Sequence, residues 1–266
     1  MAFFLETLKY RIRVCEYKGR LKFRRPLIRL SVNELLELPL RTKIGTKSYS
    51  IPTTKPIELP YQDLPIPPFV FGFWFHNRYP HKKHSVKATQ LEHLTEKFKD
   101  CGYQVTDVER RSKVDRKFRI TPSIELQLAP NVPHTIPNNY LLASPEQRIA
   151  LLSGILSARN RQYLKKTDEF RITNRRLAPL IRIQGLVESL GSRTRILFDE
   201  TYKYYTLFFR SRIKLLEEQE SPPFKIHHAR RYIVEINPLP SQSCIHIETS
   251  GEDNTILVGE GFISTC

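Results

Sequence analysis

The run FVFGFWFHNR, residues 69–78, is apolar at nearly every position as far as Phe75 and polar beyond it. An element that is apolar all round is buried on every side, so periodicity leaves helix and strand equally open here. Other stretches are more decisive. VKATQLEHLTEKFKDCGY (86–103) sets Leu91, Leu94 and Phe98 at helical spacing and closes on Gly102, a residue that favours a helix C-cap. QVTDVERRSKVDRKFRIT (104–121) predicts a charged hairpin, or a loop leading into the strand KFRIT. SPEQRIALLSGILSA (144–158) opens with Ser144 as N-cap, Pro145 at N1 and Gln147 at N3, a capping box that predicts a helix. The strand EFRIT (169–173) follows. LAPLIRIQGLVESLG (177–191) is then a helix with Leu180, Ile183, Leu186, Val187 and Leu190 on one side and Gly191 at its end. RTRILFDETYKYYTLFFR (193–210) predicts a β-hairpin, with Arg193 and Arg195 alternating against Thr194 and Ile196.

The chain ends read as short strands and loops: YRIRV (10–14), LIRLSVNELLEL (27–38) and SYSIP (48–52), and again from residue 230 onward. Prolines at 52, 56, 60, 65, 67 and 68 break both helix and central strand, which predicts an extended connector and a boundary near residue 60. The two stretches between follow one order: an apolar segment with an embedded glycine, charged strand material, and an amphipathic helix ending in glycine. Gly72 and Gly154 lie 82 residues apart (154 minus 72), which predicts a duplicated unit.

With 40% hydrophobic residues among 266, the chain can bury a substantial core in one or two domains. It has no run of about eighteen apolar residues, and MAFFLETLKYRIRV lacks the features of a secretory signal. An intracellular, non-secreted protein with no membrane partner is therefore expected. A basic amphipathic helix over Met1–Ile12 with an organelle-targeting role is the alternative, and Glu6 opposes it. Cys15, Cys101, Cys244 and Cys266 form no CxxC pair, and the pairs His81/His84 and His227/His228 have no matching ligand pair. Neither a disulfide framework nor a zinc site is expected.

Charge changes the picture most. There are 43 Lys and Arg against 27 Asp and Glu, a net of +16. Such a field attracts polyanions, and nucleic acid is the first candidate, with docking into an acidic or RNA-rich assembly as the alternative. Residues 161–214 hold 13 Lys and Arg against 5 Asp and Glu, a net of +8, so half of the excess sits in about a fifth of the chain.

Together these stretches resemble the LAGLIDADG homing endonucleases carried inside inteins. Leu152-Ser153-Gly154-Ile155-Leu156-Ser157-Ala158-Arg159-Asn160 lines up with the family motif, and residues 69–78 resemble its first copy as inteins write it. SYSIPTTKPIELPYQDLPIPPF (48–69) resembles the intein connector into the first motif, and IPNNYLLASPEQRIALLSGIL (136–156) the lead-in to the second. CIHIETSGEDNTILVGEGFISTC (244–266) and SVNELLEL (31–38) resemble parts of the Hint splicing domain. The resemblance implies an α+β fold, in which two pseudo-symmetric αββαββα repeats form a saddle within one monomer, flanked by a small β-rich Hint-like remnant built from both chain ends. The expected divisions are an N-terminal extension and Hint-like segment (1–60), a first repeat (61–143), a second repeat (144–225) and a C-terminal Hint-like β segment (226–266). In the family the two motif helices pack side by side. Glycine has no Cβ and permits that approach, so Gly72 and Gly154 are expected at a helix interface.

In the family each motif helix ends in an acidic residue, and the two carboxylates hold divalent metal at the scissile phosphates. Here Asn77 and Arg159 stand at those positions, and Arg78 and Asn160 replace the glycines that follow. Asparagine offers one neutral carbonyl and arginine is a permanent cation with no acceptor, whereas Mg²⁺ needs anionic oxygen. Asp168 and Glu169 lie beyond the helix end. The expectation is no catalytic residue, with Asn77 and Arg159 as vestigial positions, no metal ligand and no cofactor; Mg²⁺ enters only if nuclease activity survives. The splicing residues that the resemblance implies are missing too. Met1-Ala2 stands where a nucleophilic Cys or Ser would begin an intein, no Thr-x-x-His occurs before residue 60, and Thr265-Cys266 stands where His-Asn would end it.

What the resemblance leaves is a binding surface, since family members read DNA with a saddle of antiparallel strands in the major groove. The residues expected there are Arg161, Lys165, Lys166, Arg171, Arg193, Arg195, Lys203 and Arg210 in the second half, and Arg110, Arg111, Lys113, Arg116, Lys117 and Arg119 in the first. Tyr202, Tyr204 and Tyr205 lie among them and could stack on unpaired bases, although core packing is the expectation for any single one. The expected function is a catalytically inactive, homing-endonuclease-like protein that binds double-stranded DNA or structured RNA and neither cuts nor splices. The alternatives are a structural or interaction subunit of a viral or ribonucleoprotein assembly, and a divergent active endonuclease.

Overall fold

The computed structural model of the chain describes residues 9–14, 27–77, 85–86, 91–103, 105–114, 117–126, 135–158, 163–216, 219, 230–237, 256–258 and 263–265, some strands by backbone alone. In chain order the elements are β1 (Lys9–Val14), β2 (Leu27–Ser31), α1 (Val32–Leu36), β3 (Tyr49–Pro52), α2 (Pro68–Asn77), β4 (Ser85–Val86), α3 (Leu91–Asp100), β5 (Val105–Val114), β6 (Lys117–Leu126) and α4 (Asn138–Leu141). There follow α5 (Pro145–Ser157), β7 (Tyr163–Leu164), β8 (Glu169–Asn174), α6 (Leu177–Ser189), β9 (Thr194–Asp199), β10 (Tyr204–Phe209), β11 (Arg230–Tyr232), β12 (Ile256–Val258) and β13 (Ile263–Thr265). The chain is thus a mixed α+β protein with small antiparallel sheets. It divides into two units. One comprises Met1–Lys55, Gly191–Arg193 and Phe224–Cys266, the other Pro56–Leu190 and Thr194–Pro223.

The first unit draws on both chain ends. Its sheet has the order β11-β3-β1-β2, and β12 pairs with β13. Two expectations are corrected here. Residues 32–36 are helical rather than strand or loop, because Ser31 and Glu34 form a capping box: Ser31 Oγ accepts from Glu34 N (3.2 Å) and Glu34 Oε2 accepts from Ser31 N (2.6 Å). A helix through Ile12 is excluded, because Lys9–Val14 pairs with β2 in the register Arg11↔Arg29.

In the second unit, α2 and α5 pack together through their glycines. A Cβ on Gly72 would collide with the carbonyl oxygen of Leu151 and stand 3.0 Å from Ile155 N. A Cβ on Gly154 would collide with the carbonyl oxygen of Phe69 and stand 2.9 Å from Phe73 N. The contact is reciprocal: each glycine lies against the backbone three residues before and one residue after the other. The remaining faces of α2 are covered as well. Phe71 stacks on Tyr140 of α4 with centroids 4.5 Å apart, and Phe73 meets Phe98 of α3 edge-on at 5.0 Å. Burial on all sides is why the run lacks a period.

The capping box of α5 forms as its sequence predicts, with Ser144 Oγ accepting from Gln147 N and Gln147 Oε1 from Ser144 N. Gln147 also binds the connector, accepting from Gln62 N (2.9 Å) and donating to Gln62 O (2.7 Å). Tyr140 Oη does the same at Ile66. α3 begins at Leu91, not at residue 86, because Ser85 and Val86 pair with β6. It ends at Gly102 with φ 80°, and α6 at Gly191 with φ 81°, left-handed positions that glycine occupies without strain.

Among the described residues the most buried charge is Arg148 on α5, with no exposed surface. Its Nε donates to Ala143 O (2.9 Å), Nη1 to Ser189 O (3.2 Å) and Ser189 Oγ (2.6 Å), and Nη2 to Ile57 O. The guanidinium thus ties the start of α5 to the carbonyl end of α6, where a cation complements the helix dipole. Burial pulls its pKa below the usual value, and the charges of Glu58 and Glu146 raise it again.

The two halves of this unit share an order. α2, β4, α3, β5 and β6 give a sheet β4-β6-β5; α5, β7, β8, α6, β9 and β10 give a sheet β7-β8-β10-β9. In both, the second strand of the hairpin lies between its partner and the strand that precedes the second helix.

Candidate nucleic-acid interface

The sheet β7-β8-β10-β9 has one face in the core and one face outward. In β8, Phe170 and Ile172 are buried while Arg171 is exposed. In β10, Leu207 and Phe209 are buried, in one apolar cluster with Leu180, Ile183, Leu186 and Val187 of α6. Alternation then sends Tyr204 and Phe208, both half-buried, and the buried Thr206 between them to the opposite face, with Arg195 and Leu197 of β9 beside them. Leu197 is 52% exposed there.

Register assembles the charges on this face. Phe208 is opposite Arg171 on one side and Arg195 on the other, so the three form one row across the sheet. The Arg195 guanidinium carbon lies 4.8 Å from the Phe208 ring centroid, a cation–π position. Its Nη2 is 3.2 Å from both Oε1 and Oε2 of Glu169, two residues before Arg171 on β8. The Arg195 side chain is 58% exposed and that of Glu169 only 15%. A planar donor is thereby held over an aromatic ring while keeping donors for an incoming phosphate or base edge.

The turns that flank the sheet are fixed by short side chains. Between β7 and β8, Lys165 and Lys166 are exposed, Asp168 takes a positive φ of 50°, and Tyr163 Oη donates to Asp168 Oδ1 at 3.0 Å. Between β9 and β10, Asp199 Oδ1 accepts from Thr201 N and Tyr202 N, each at 2.9 Å. Lys203 follows with φ 52°, its Nζ 3.3 Å from Glu200 Oε2.

Of the basic residues singled out from the sequence, Lys165, Lys166, Arg171, Arg195 and Lys203 lie exposed on this sheet or its turns. Arg210 directly follows β10 but is half-buried, with its Nε shielded from solvent. Arg193 is exposed but belongs to the other unit. Arg110, Arg111 and Lys113 fall on β5, and Lys117 and Arg119 on β6, in the register Arg111↔Ile120 and Ser112↔Arg119; their side chains lie outside the described residues, as do Arg116, Arg159 and Arg161 entirely. Asn77 is the last residue of α2, its side chain likewise undescribed. Glu169 and Phe208 carried no signal of this role in the sequence, because cross-strand register alone brings them to Arg195. Of the three tyrosines, Tyr205 packs against the core and Tyr202 is exposed.

Among the described residues no group of three or more His, Cys, Asp or Glu could hold a metal. Cys101 is a free, partly buried thiol whose pKa is raised by burial and by Asp100; the other cysteines and His81, His84, His227 and His228 lie outside the described residues. Among the described residues no helix is long and apolar enough to cross a membrane.

No family model matches the chain, and no curated protein matches it. Solved structures that it resembles include the homing endonuclease I-DmoI in complex with DNA and Mn, at 16% identity and a TM-score of 0.33 over 54% of this chain and 88% of that one. Mesophilic variants of the same endonuclease match at 15% identity and a TM-score of 0.33, over 55% of this chain and 82% of theirs. At this level the likeness is partial, and the functional reading rests on the chain's own residues.

Proposed function

We propose that this chain is a nucleic-acid-binding protein on a LAGLIDADG-type scaffold that neither cuts nor splices, and that its partner is duplex DNA. The observation that carries the reading is the row Arg171, Phe208, Arg195 on the outward face of the β7-β8-β10-β9 sheet, with Lys165 and Lys166 at its rim. A strand surface of this kind offers guanidinium groups to the phosphates and base edges of a groove. The reciprocal seating of Gly72 and Gly154 and the common strand order of the two halves support a duplicated unit with a saddle of two sheets, acting as a monomer. A first unit drawn from both chain ends supports its reading as a Hint-like remnant. Loss of cleavage follows from Asn77 and Arg159, which cannot replace two carboxylates around Mg²⁺.

A paired assay tests this. A short random-sequence duplex should be retarded by the protein in a gel, while a supercoiled plasmid library should stay uncut with Mg²⁺ or Mn²⁺. Retention of structured RNA but not DNA would reassign the partner. Cleavage would overturn the loss of activity.

A further inference from the structure

We propose that the turn between β9 and β10 is a stacking site for an unpaired base, so that the preferred ligand is a duplex continued by a single strand. This deepens the nucleic-acid-binding reading and rests on it. Tyr202 is 70% exposed. Its ring stands beside that of Tyr204 in an offset stack, with centroids 6.0 Å and planes 23° apart. At this exposure a face of the Tyr202 ring is open to water.

The backbone beneath the pair is pinned. Asp199 Oδ1 holds the amides of Thr201 and Tyr202, Lys203 closes the turn in a left-handed conformation, and Tyr204 pairs with Asp199. A ring held in water by a rigid turn adds little to folding, but it lowers the ordering cost of binding a flat ligand. An unpaired base is such a ligand, since every base has a π-face and stacking on an aromatic ring is tolerant of sequence. Lys203 supplies a cation for the adjoining phosphate, and its exposed pair with Glu200 is broken at little cost.

The stack shares a strand with the arginine row. Tyr204 and Phe208 lie on the same face of β10, four residues apart. That separation is about 13 Å, or about four base steps of one strand. With the Tyr202 ring a further 6.0 Å from that of Tyr204, a duplex gripped at Arg171 and Arg195 would reach Tyr202 with a base about four to six steps away.

The test compares a blunt duplex with the same duplex carrying a single-stranded extension in which 2-aminopurine replaces each base in turn. Wild type should bind the extended duplex about tenfold more tightly and quench 2-aminopurine at one or two positions. In Tyr202→Leu the ratio of the two affinities should fall to about one and the quenching disappear, and Tyr202→Phe should keep both. An extension without effect on a duplex that still binds, or an affinity ratio unchanged in Tyr202→Leu, would overturn the stacking site and leave the duplex-binding reading standing. Failure to bind either ligand would overturn both.

Discussion

Gly72 and Leu151 touch backbone to backbone: the space a Cβ would need on Gly72 is filled by the carbonyl oxygen of Leu151. The same holds for Gly154 against Phe69. Helices normally keep axes 8–10 Å apart because side chains intervene, and removing them from both sides allows the closer approach. This contact is the spine of the second unit, and it sets where the ends of α2 and α5 lie.

Adding a methyl group at either glycine forces α2 and α5 apart, because the obstructing atoms are backbone and cannot rotate away. Gly72→Ala and Gly154→Ala should each destabilise the protein by about 3 kcal/mol or more, at the upper end of overpacking costs. Gly185 of α6 is the control, with nothing within 4 Å of its added Cβ. Gly185→Ala should stabilise by about 0.5–1 kcal/mol through helix propensity. Denaturant melts of the three variants check the contrast, and equal effects would contradict it.

Arg148 carries the second prediction. Arg148→Met removes a donor from the carbonyl groups of Ala143, Ser189 and Ile57, of which Ser189 O still accepts from Ile57 N, and should cost about 3 kcal/mol. Arg148→Lys should recover only part of this, since an ammonium group cannot span the three sites that the guanidinium fork reaches. Full recovery by lysine in thermal unfolding would show that charge, not the fork, is what matters.

Much of this architecture was legible locally. The Ser144/Gln147 box, the glycine ends of α3 and α6, and the hairpin over 193–210 each follow from signals within a few residues of the element they specify. The α2 run was ambiguous because its burial comes from three partners distant in sequence, namely α3, α4 and α5. The Ser31/Glu34 box is equally local, but the neighbouring LIRLS reads as strand and masks it. Arg148 was illegible for another reason: its partners lie 41 and 91 residues away, and a charged residue in the first turns of a helix ordinarily faces water. The interface shows the same division. Basic residues on strands could be named one by one, but the pairing of Arg195 with Glu169 and its stacking on Phe208 depend on register, which no local pattern specifies.

The Glu169–Arg195 pair gives a prediction of opposite sign to the usual loss of function. Glu169→Gln removes a negative charge from the outward face, so duplex DNA should bind more tightly, while the slope of log affinity against log salt stays near the wild-type value because Arg195 already grips its phosphate. Arg195→Gln should make the slope shallower by about 0.9. Fluorescence anisotropy at several salt concentrations separates the two, and identical slopes in both variants would place Arg195 away from the phosphates.

The most direct test of the account is the salt dependence of duplex binding by the wild-type chain. Affinity for a short duplex, measured between about 50 and 200 mM salt, should fall along a straight line in log–log coordinates, and Arg171→Gln with Arg195→Gln together should reduce its slope by about two. Affinity that is flat in salt, or no binding at about 50–100 mM, would contradict a phosphate-gripping sheet.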